Sequence, residues 1–191
     1  MPNVVVTPDL RALARKYKAK LDPIKVALFD VDGVLTDGRV FYHGAEVGYN
    51  RLFNIRDGYG LKMLPEAGIK VGIISGGNSL SIIKRFTENL TVDYFFIGSE
   101  DKRGPYLKVL ADGYTDDQIL YMGDEFFDLP LLQRAGFSAA PRTASSEILE
   151  VVDYVPFSWP GNGAAREVID LLRYAHGFVP SIPNFLCDFK K

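Results

Sequence analysis

Two aspartates, Asp30 and Asp32, close the apolar run Val26-Ala27-Leu28-Phe29 and are followed at once by Gly33. An apolar run that ends in acids and then glycine is how a buried strand delivers carboxylates to a loop. Side chains alternate along a strand, so Asp30 and Asp32 are expected to point the same way and share one small space. Like charges that close raise a pKa unless a cation lies between them, so the pair implies a bound divalent ion or a shared proton. The placement favours the ion, because open α/β sheets bind ligands at the carboxyl ends of their strands.

Three later runs hand polar groups to loops in the same way. A predicted strand over 70–74 leads into Ser75-Gly76-Gly77-Asn78, supplying a hydroxyl and glycine amides. One over 94–97 is followed by Glu100-Asp101-Lys102, and one over 118–122 by Gly123-Asp124-Glu125-Phe126-Phe127-Asp128. Taken singly, Ser75 is a turn former, Lys102 a solvated lysine and Asp128 a helix cap. Only their order, each at a strand end, makes them a candidate site.

The elements that must position these groups alternate along the chain. Residues 24–29 are continuously apolar from Val26, as in a parallel strand buried on both faces. Helices are expected over 61–66, 79–90, 104–112, 129–135, 143–151 and 164–176, with a fifth strand over 137–140. This alternation implies right-handed βαβ units and a Rossmann-like parallel sheet with helices on both faces. Residues 1–23 form a lead-in with a helix over 9–18, Thr7 as its cap and Pro8 in its first turn. Residues 39–54, rich in Val, Tyr and Phe and broken by Gly44 and Gly48, read as one or two β-hairpins leaving the sheet. The main domain spans 24–177, and the tail over 178–191 is apolar enough to pack on something.

Bulk properties narrow the function classes. With 191 residues, 47% hydrophobic and 24% charged, the chain suits one well-buried domain. A net charge of −2 gives no footprint for nucleic acid. No apolar stretch has the length to cross a membrane, and no basic-then-apolar leader is visible. The single cysteine, Cys187, has no partner for a disulfide or a metal, which fits a reducing, cytoplasmic setting.

The ordered set resembles the four motifs of the haloacid dehalogenase-like phosphatases: Asp30-Val31-Asp32-Gly33-Val34, then Ser75, then Lys102, then Gly123-Asp124 with Asp128. The resemblance covers roughly residues 24–176 and implies hydrolysis of a phosphate monoester through an aspartyl-phosphate intermediate. Asp30 is then the nucleophile, and Asp32 the group that protonates the leaving alcohol and later takes a proton from water. Mg²⁺ is held by Asp30, Asp124 and the backbone carbonyl of Asp32. Ser75 and the amides of Gly76 and Gly77 bind phosphate, and Lys102 adds a fixed cation. Asp128 orients Lys102 or a metal-bound water, with Glu125 as a further supporting group.

The finer resemblance is to the capless phosphatases of phosphorylated eight- and nine-carbon sugar acids, the 3-deoxy-D-manno-octulosonate 8-phosphate phosphatases above all. It rests on the run from Asp32 to Gly38, the run from Phe53 to Gly60, and the run from Gly161 to Glu167. Neither gap between motifs has room for a cap domain, so the resemblance implies a homotetramer in which a neighbour's 39–54 hairpin covers the site. The family's second motif usually continues with arginine where this chain has Gly77. Either the cationic role passes to Arg56, Lys62 or Arg166, or a different sugar phosphate, such as a nonulosonate 9-phosphate, is the substrate. An inactive regulatory relative and a phosphoacceptor signalling module are the rival classes, and the second lacks an acid at the position of Asp32.

Overall fold

The computed structural model describes residues 7–181. Its strands are β1 (Val26–Phe29), β2 (Phe41–Tyr42), β3 (Tyr49–Asn50), β4 (Lys70–Ser75), β5 (Tyr94–Ile97), β6 (Ile119–Met122) and β7 (Phe137–Ala139). Five of them form one parallel sheet in the order β5-β4-β1-β6-β7, and β2 and β3 form a separate antiparallel pair. Successive connections run outward from β1 to β4 and β5 on one side, then to β6 and β7 on the other. The direction reverses between β1 and β6, which opens a crevice at their carboxyl ends.

Why β1 sits at the centre is legible in its packing. Ala27 and Phe29 enter one apolar cluster and Val26 and Leu28 the other, and β6 splits the same way, Leu120 and Met122 against Ile119 and Tyr121. Each strand therefore buries both faces, as a continuous apolar run requires. Each fully buried Leu, Ile or Val contributes about 1.5–3 kcal/mol by leaving water.

Helices α1 (Leu10–Lys16) and α2 (Lys18–Leu21) precede the sheet, α3 (Ile55–Met63) leads to β4, and α4 (Leu80–Ile83) follows it. Then come α5 (Arg103–Ala111), α6 (Leu129–Leu132), α7 (Ser146–Leu149) and α8 (Ala164–Ala175). Several boundaries differ from expectation. Asp9, not Thr7, caps α1, because its carboxylate reaches the amides of Arg11 and Ala12 at 3.0 and 3.1 Å. Helix α3 begins at Ile55 rather than Leu61, since Asn54 accepts from the amides of Arg56 and Asp57. Two glycines in its first turns disguise it. The helices expected over 129–135 and 143–151 are each reduced to a single four-residue turn, and the chain beyond α4 continues as a π-type turn over Lys84–Asn89.

The segment 39–54 is one hairpin, with Phe41, Tyr42 and Tyr49 exposed. Two of the runs that carry the finer resemblance meet: Asp57 of α3 accepts from the amides of Gly163 and Arg166 at 3.1 and 2.8 Å, capping α8 across the fold. Buried Glu167 accepts from the Tyr154 hydroxyl, both the amide and hydroxyl of Ser158, and the Phe157 amide. These bonds pin the loop before α8, whose Gly161 amide donates to the Val34 carbonyl beside the acidic loop at 3.1 Å. Among the described residues no helix is long and apolar enough to cross a membrane. Past Ser181 the expected packing of the tail, and Cys187, lie outside the described residues.

Candidate active site

β1 ends one residue before Asp30, whose amide donates to the Met122 carbonyl of β6 at 2.9 Å. The chain then turns tightly, with the Val31 carbonyl accepting from the amides of Leu35 and Thr36. This turn ends the strand alternation, so the two aspartates part company. Asp30 points into a buried cluster, whereas the Asp32 carboxylate turns to Arg51, with Nε–Oδ1 at 2.6 Å and Nη2–Oδ2 at 2.9 Å. The expectation that Asp30 and Asp32 pair in one small space is corrected to this extent: both line one cavity, but their carboxylates do not meet, that of Asp32 being taken by Arg51.

The cluster around Asp30 is built from three strand ends. Lys102, fully buried, sits 3.0 Å from Asp30 Oδ2 and 2.5 Å from Asp128 Oδ1. The Asp128 carboxylate also accepts from the Tyr121 hydroxyl at 2.5 Å and from the amides of Asp124 and Glu125 at 3.0 and 3.1 Å. Four donors saturate it. Phe127 covers the other side of Lys102, the ammonium lying 4.6 Å from its ring centre.

Asp30, Asp124 and Asp128 each offer an oxygen within 4.8 Å of the others. Because Asp128 is committed to four donors, the ligand atoms with lone pairs to spare belong to Asp124 and to Asp30, whose two oxygens each meet a single donor, the Val31 amide at 2.6 Å and Lys102 at 3.0 Å. Asp124 Oδ1 is buried without a hydrogen-bond partner, and burying an unpaired carboxylate oxygen is costly unless a cation meets it. An all-oxygen donor set suits a hard divalent cation. The residues present therefore fit Mg²⁺. The carboxylate of Asp32 stands outside this group, so only its backbone could contribute.

Electrostatics point the same way. Burial pushes the Asp30 carboxyl up to about 7; Lys102 opposes the rise and Asp128 adds to it. Burial pushes Asp124 up to about 8, reinforced by the charges of Asp30 and Asp128. The site holds too little positive charge for its acids. Gly33 makes the approach possible: its φ is +80°, and a Cβ there would lie 1.9 Å from Asp124 Oδ2.

A cavity of about 320 Å³ opens over Asp30, Asp32, Ser75, Gly76, Gly77 and Asp124, with Glu100, Glu125 and Phe127 also lining it. Ser75, at the end of β4, is buried, and its hydroxyl accepts from the Gly77 amide at 3.2 Å, so that amide is already engaged. Glu125 is exposed and turns back on the Phe126 amide. Arg56 and Arg166 are not brought to this cavity. They line another, of about 200 Å³, where Arg166 pairs with Asp170 at 3.1 Å. Lys62 is exposed on α3. Sequence reasoning missed Arg51 and Tyr121. Arg51 is an isolated cation at the foot of a hairpin, and Tyr121 reads as one more apolar strand residue.

No protein-family model matches the sequence. The chain is 37% identical over 161 residues to the 3-deoxy-D-manno-octulosonate 8-phosphate phosphatase of Haemophilus influenzae, covering 83% of this chain and 87% of that one. It is similar to the solved structure of the Moraxella catarrhalis 3-deoxy-D-manno-octulosonate 8-phosphate phosphatase in complex with magnesium, phosphate and KDO. That likeness has a TM-score of 0.79 at 31% identity and covers 84% and 92% of the two chains. The cobalt-bound form of the Haemophilus influenzae phosphatase gives a TM-score of 0.77 at 36% identity, over 83% and 92%.

Proposed function

The chain belongs to the family of 3-deoxy-D-manno-octulosonate 8-phosphate phosphatases, within the haloacid dehalogenase-like superfamily, and on that premise we propose how its site cleaves the phosphate ester. It is a phosphomonoester hydrolase with Mg²⁺ as cofactor. Its substrate is 3-deoxy-D-manno-octulosonate 8-phosphate, released as free sugar acid and inorganic phosphate. The observation that carries the reading is the buried arrangement of Asp30, Lys102 and Asp128 beside the unpartnered oxygen of Asp124.

Asp30 attacks phosphorus, forming an aspartyl phosphate as the bond to the sugar oxygen breaks. Asp32 gives its proton to that oxygen, then removes one from the water whose attack on phosphorus releases phosphate and restores Asp30. Lys102, locked by Asp128, keeps a positive charge beside Asp30 throughout. The Ser75 hydroxyl donates to a phosphate oxygen. Asp30, Asp124 and the Asp32 backbone carbonyl would hold Mg²⁺, which when bound offsets the repulsion between an anionic nucleophile and an anionic substrate.

The protein works as a homotetramer in this reading, each cavity closed by a neighbour's 39–54 hairpin. Support comes from the hairpin itself, on which Val40, Phe41, Tyr42 and Tyr49 are all exposed with Leu52 just beyond. A cytoplasmic setting fits a chain with one cysteine.

A substrate panel tests the assignment: kcat/KM for octulosonate 8-phosphate, nonulosonate 9-phosphates and neutral hexose phosphates. Preference for the octulosonate is the expected result. A flat profile, or preference for a neutral sugar phosphate, would overturn the substrate.

A further inference from the structure

Asp32, the proton donor and acceptor of that reaction, does not stand free in the cavity. Arg51 meets it fork to fork at 2.6 and 2.9 Å, a geometry that fixes a carboxylate's orientation as well as its position. The guanidinium is held in turn. Its Nη1 donates to the Ser79 hydroxyl, and the Arg51 amide donates to the Asn50 side chain at 2.9 Å. The Arg51 side chain is only 6% exposed, while that of Asp32 is 34% exposed. A buried cation thus holds an accessible acid from behind.

The position that departs from the family pattern adjoins this pair. A Cβ on Gly77 would lie 3.1 Å from Asp32 Oδ2, 2.9 Å from Ile82 Cδ1 and 3.5 Å from Arg51 Nη2. Any side chain there would crowd the pair directly. Gly77 also lines both the active-site cavity and a second cavity of about 480 Å³ that Arg51 and Tyr49 line. The Asp32–Arg51 pair stands where the two adjoin.

Resting on the phosphatase reading, we infer that Arg51 is a positioning residue for Asp32, fixing the aim of the acid–base group and tying it to the foot of the hairpin, in room that Gly77 leaves. The cation beside Gly77 is then Arg51, not Arg56, Lys62 or Arg166. A proton donor must meet the leaving oxygen within hydrogen-bond reach, and small misplacements cost large factors in rate.

The test exploits leaving groups. A sugar alkoxide needs its proton, whereas p-nitrophenolate departs without one, so misdirecting Asp32 should hurt the first substrate far more. Arg51→Ala should lower kcat/KM about 100-fold on octulosonate 8-phosphate and less than about 10-fold on p-nitrophenyl phosphate. Arg51→Lys, which keeps a donor without the fork, should fall between, and decides the matter if the alanine variant does not fold. In an Asp32→Asn background, Arg51→Ala should add no further loss. Equal losses on both substrates, or additive losses in the double variant, would overturn the role of Arg51 while leaving the phosphatase reading intact. A wild-type protein that hydrolyses neither ester would remove that reading and this inference with it.

Discussion

The Lys102 ammonium lies 2.5 Å from Asp128 Oδ1, and both side chains are wholly buried. Asp128 is therefore not a spare metal ligand. It is the acceptor that holds the buried Lys102 side chain in place, and it also closes the loop that carries Asp124. Removing Asp128 leaves Lys102 with Asp30 alone and strips the Tyr121 hydroxyl and the amides of Asp124 and Glu125 of their acceptor, so Asp128→Ala should lower unfolding stability by about 3–5 kcal/mol. Urea denaturation of the variant checks this, and a loss below about 1 kcal/mol would contradict it.

A second prediction concerns pH. Asp30 and Asp124 are raised to about 7 and about 8, chiefly by burial, far above their values in an unfolded chain. The folded state therefore holds protons that the unfolded state has released. Their contribution is fully present below about pH 4, falls progressively as pH rises above the ordinary carboxylate value of 3.8, and is gone once pH passes about 7 to 8. Thermal melts of metal-free protein should show Tm falling across that window. Mg²⁺ competes with the same protons, so it should bind more tightly as pH rises and recover the lost Tm. A metal-free Tm that is flat from pH 6 to 9 would count against the buried acidic cluster.

The capping of α8 by Asp57 gives a third. The amides of Gly163, the residue before α8, and of Arg166 in its first turn depend on this one carboxylate from another helix. Asp57→Ala should cost about 1–2 kcal/mol, the size of a lost N-cap, and leave kcat for sugar-phosphate hydrolysis within about twofold. Denaturation alongside steady-state kinetics separates the two effects.

Association through the hairpin is the fourth. Tyr42 is 63% exposed and Tyr49 62%, their rings 5.6 Å apart at the turn of the hairpin. Tyr42→Asp should reduce the mass measured by light scattering and lower kcat/KM together, because an unclosed cavity admits water. Wild-type protein that is monomeric and fully active would refute closure by a neighbour.

Much of this molecule can be read from its residues because the site sits where periodic elements stop. The four strand ends bearing Asp30, Ser75, Lys102 and Asp124 are each announced by an apolar run, and the parallel sheet follows from their alternation with helices. What the sequence conceals are contacts across distance. Arg51 lies 19 positions from Asp32, at the foot of a hairpin with no periodic signal, and only the fold sets them side by side. The parting of Asp30 from Asp32 depends on a turn that begins at Val31, where strand alternation no longer applies. Arg56 and Arg166 belong to resemblance-bearing runs, yet those runs meet to cap α8 and form a separate cavity. There the two runs hold the loop beside the acidic turn.

We propose Asp30 as the nucleophile of this Mg²⁺-dependent phosphatase. Phosphate release from 3-deoxy-D-manno-octulosonate 8-phosphate, followed with Mg²⁺ and with chelator in wild type and in Asp30→Asn, tests it most directly. Release is expected only from wild type with Mg²⁺, since the amide keeps the shape of the side chain but cannot form the acyl phosphate. Sustained release by Asp30→Asn, or turnover by wild type that chelator does not affect, would contradict it.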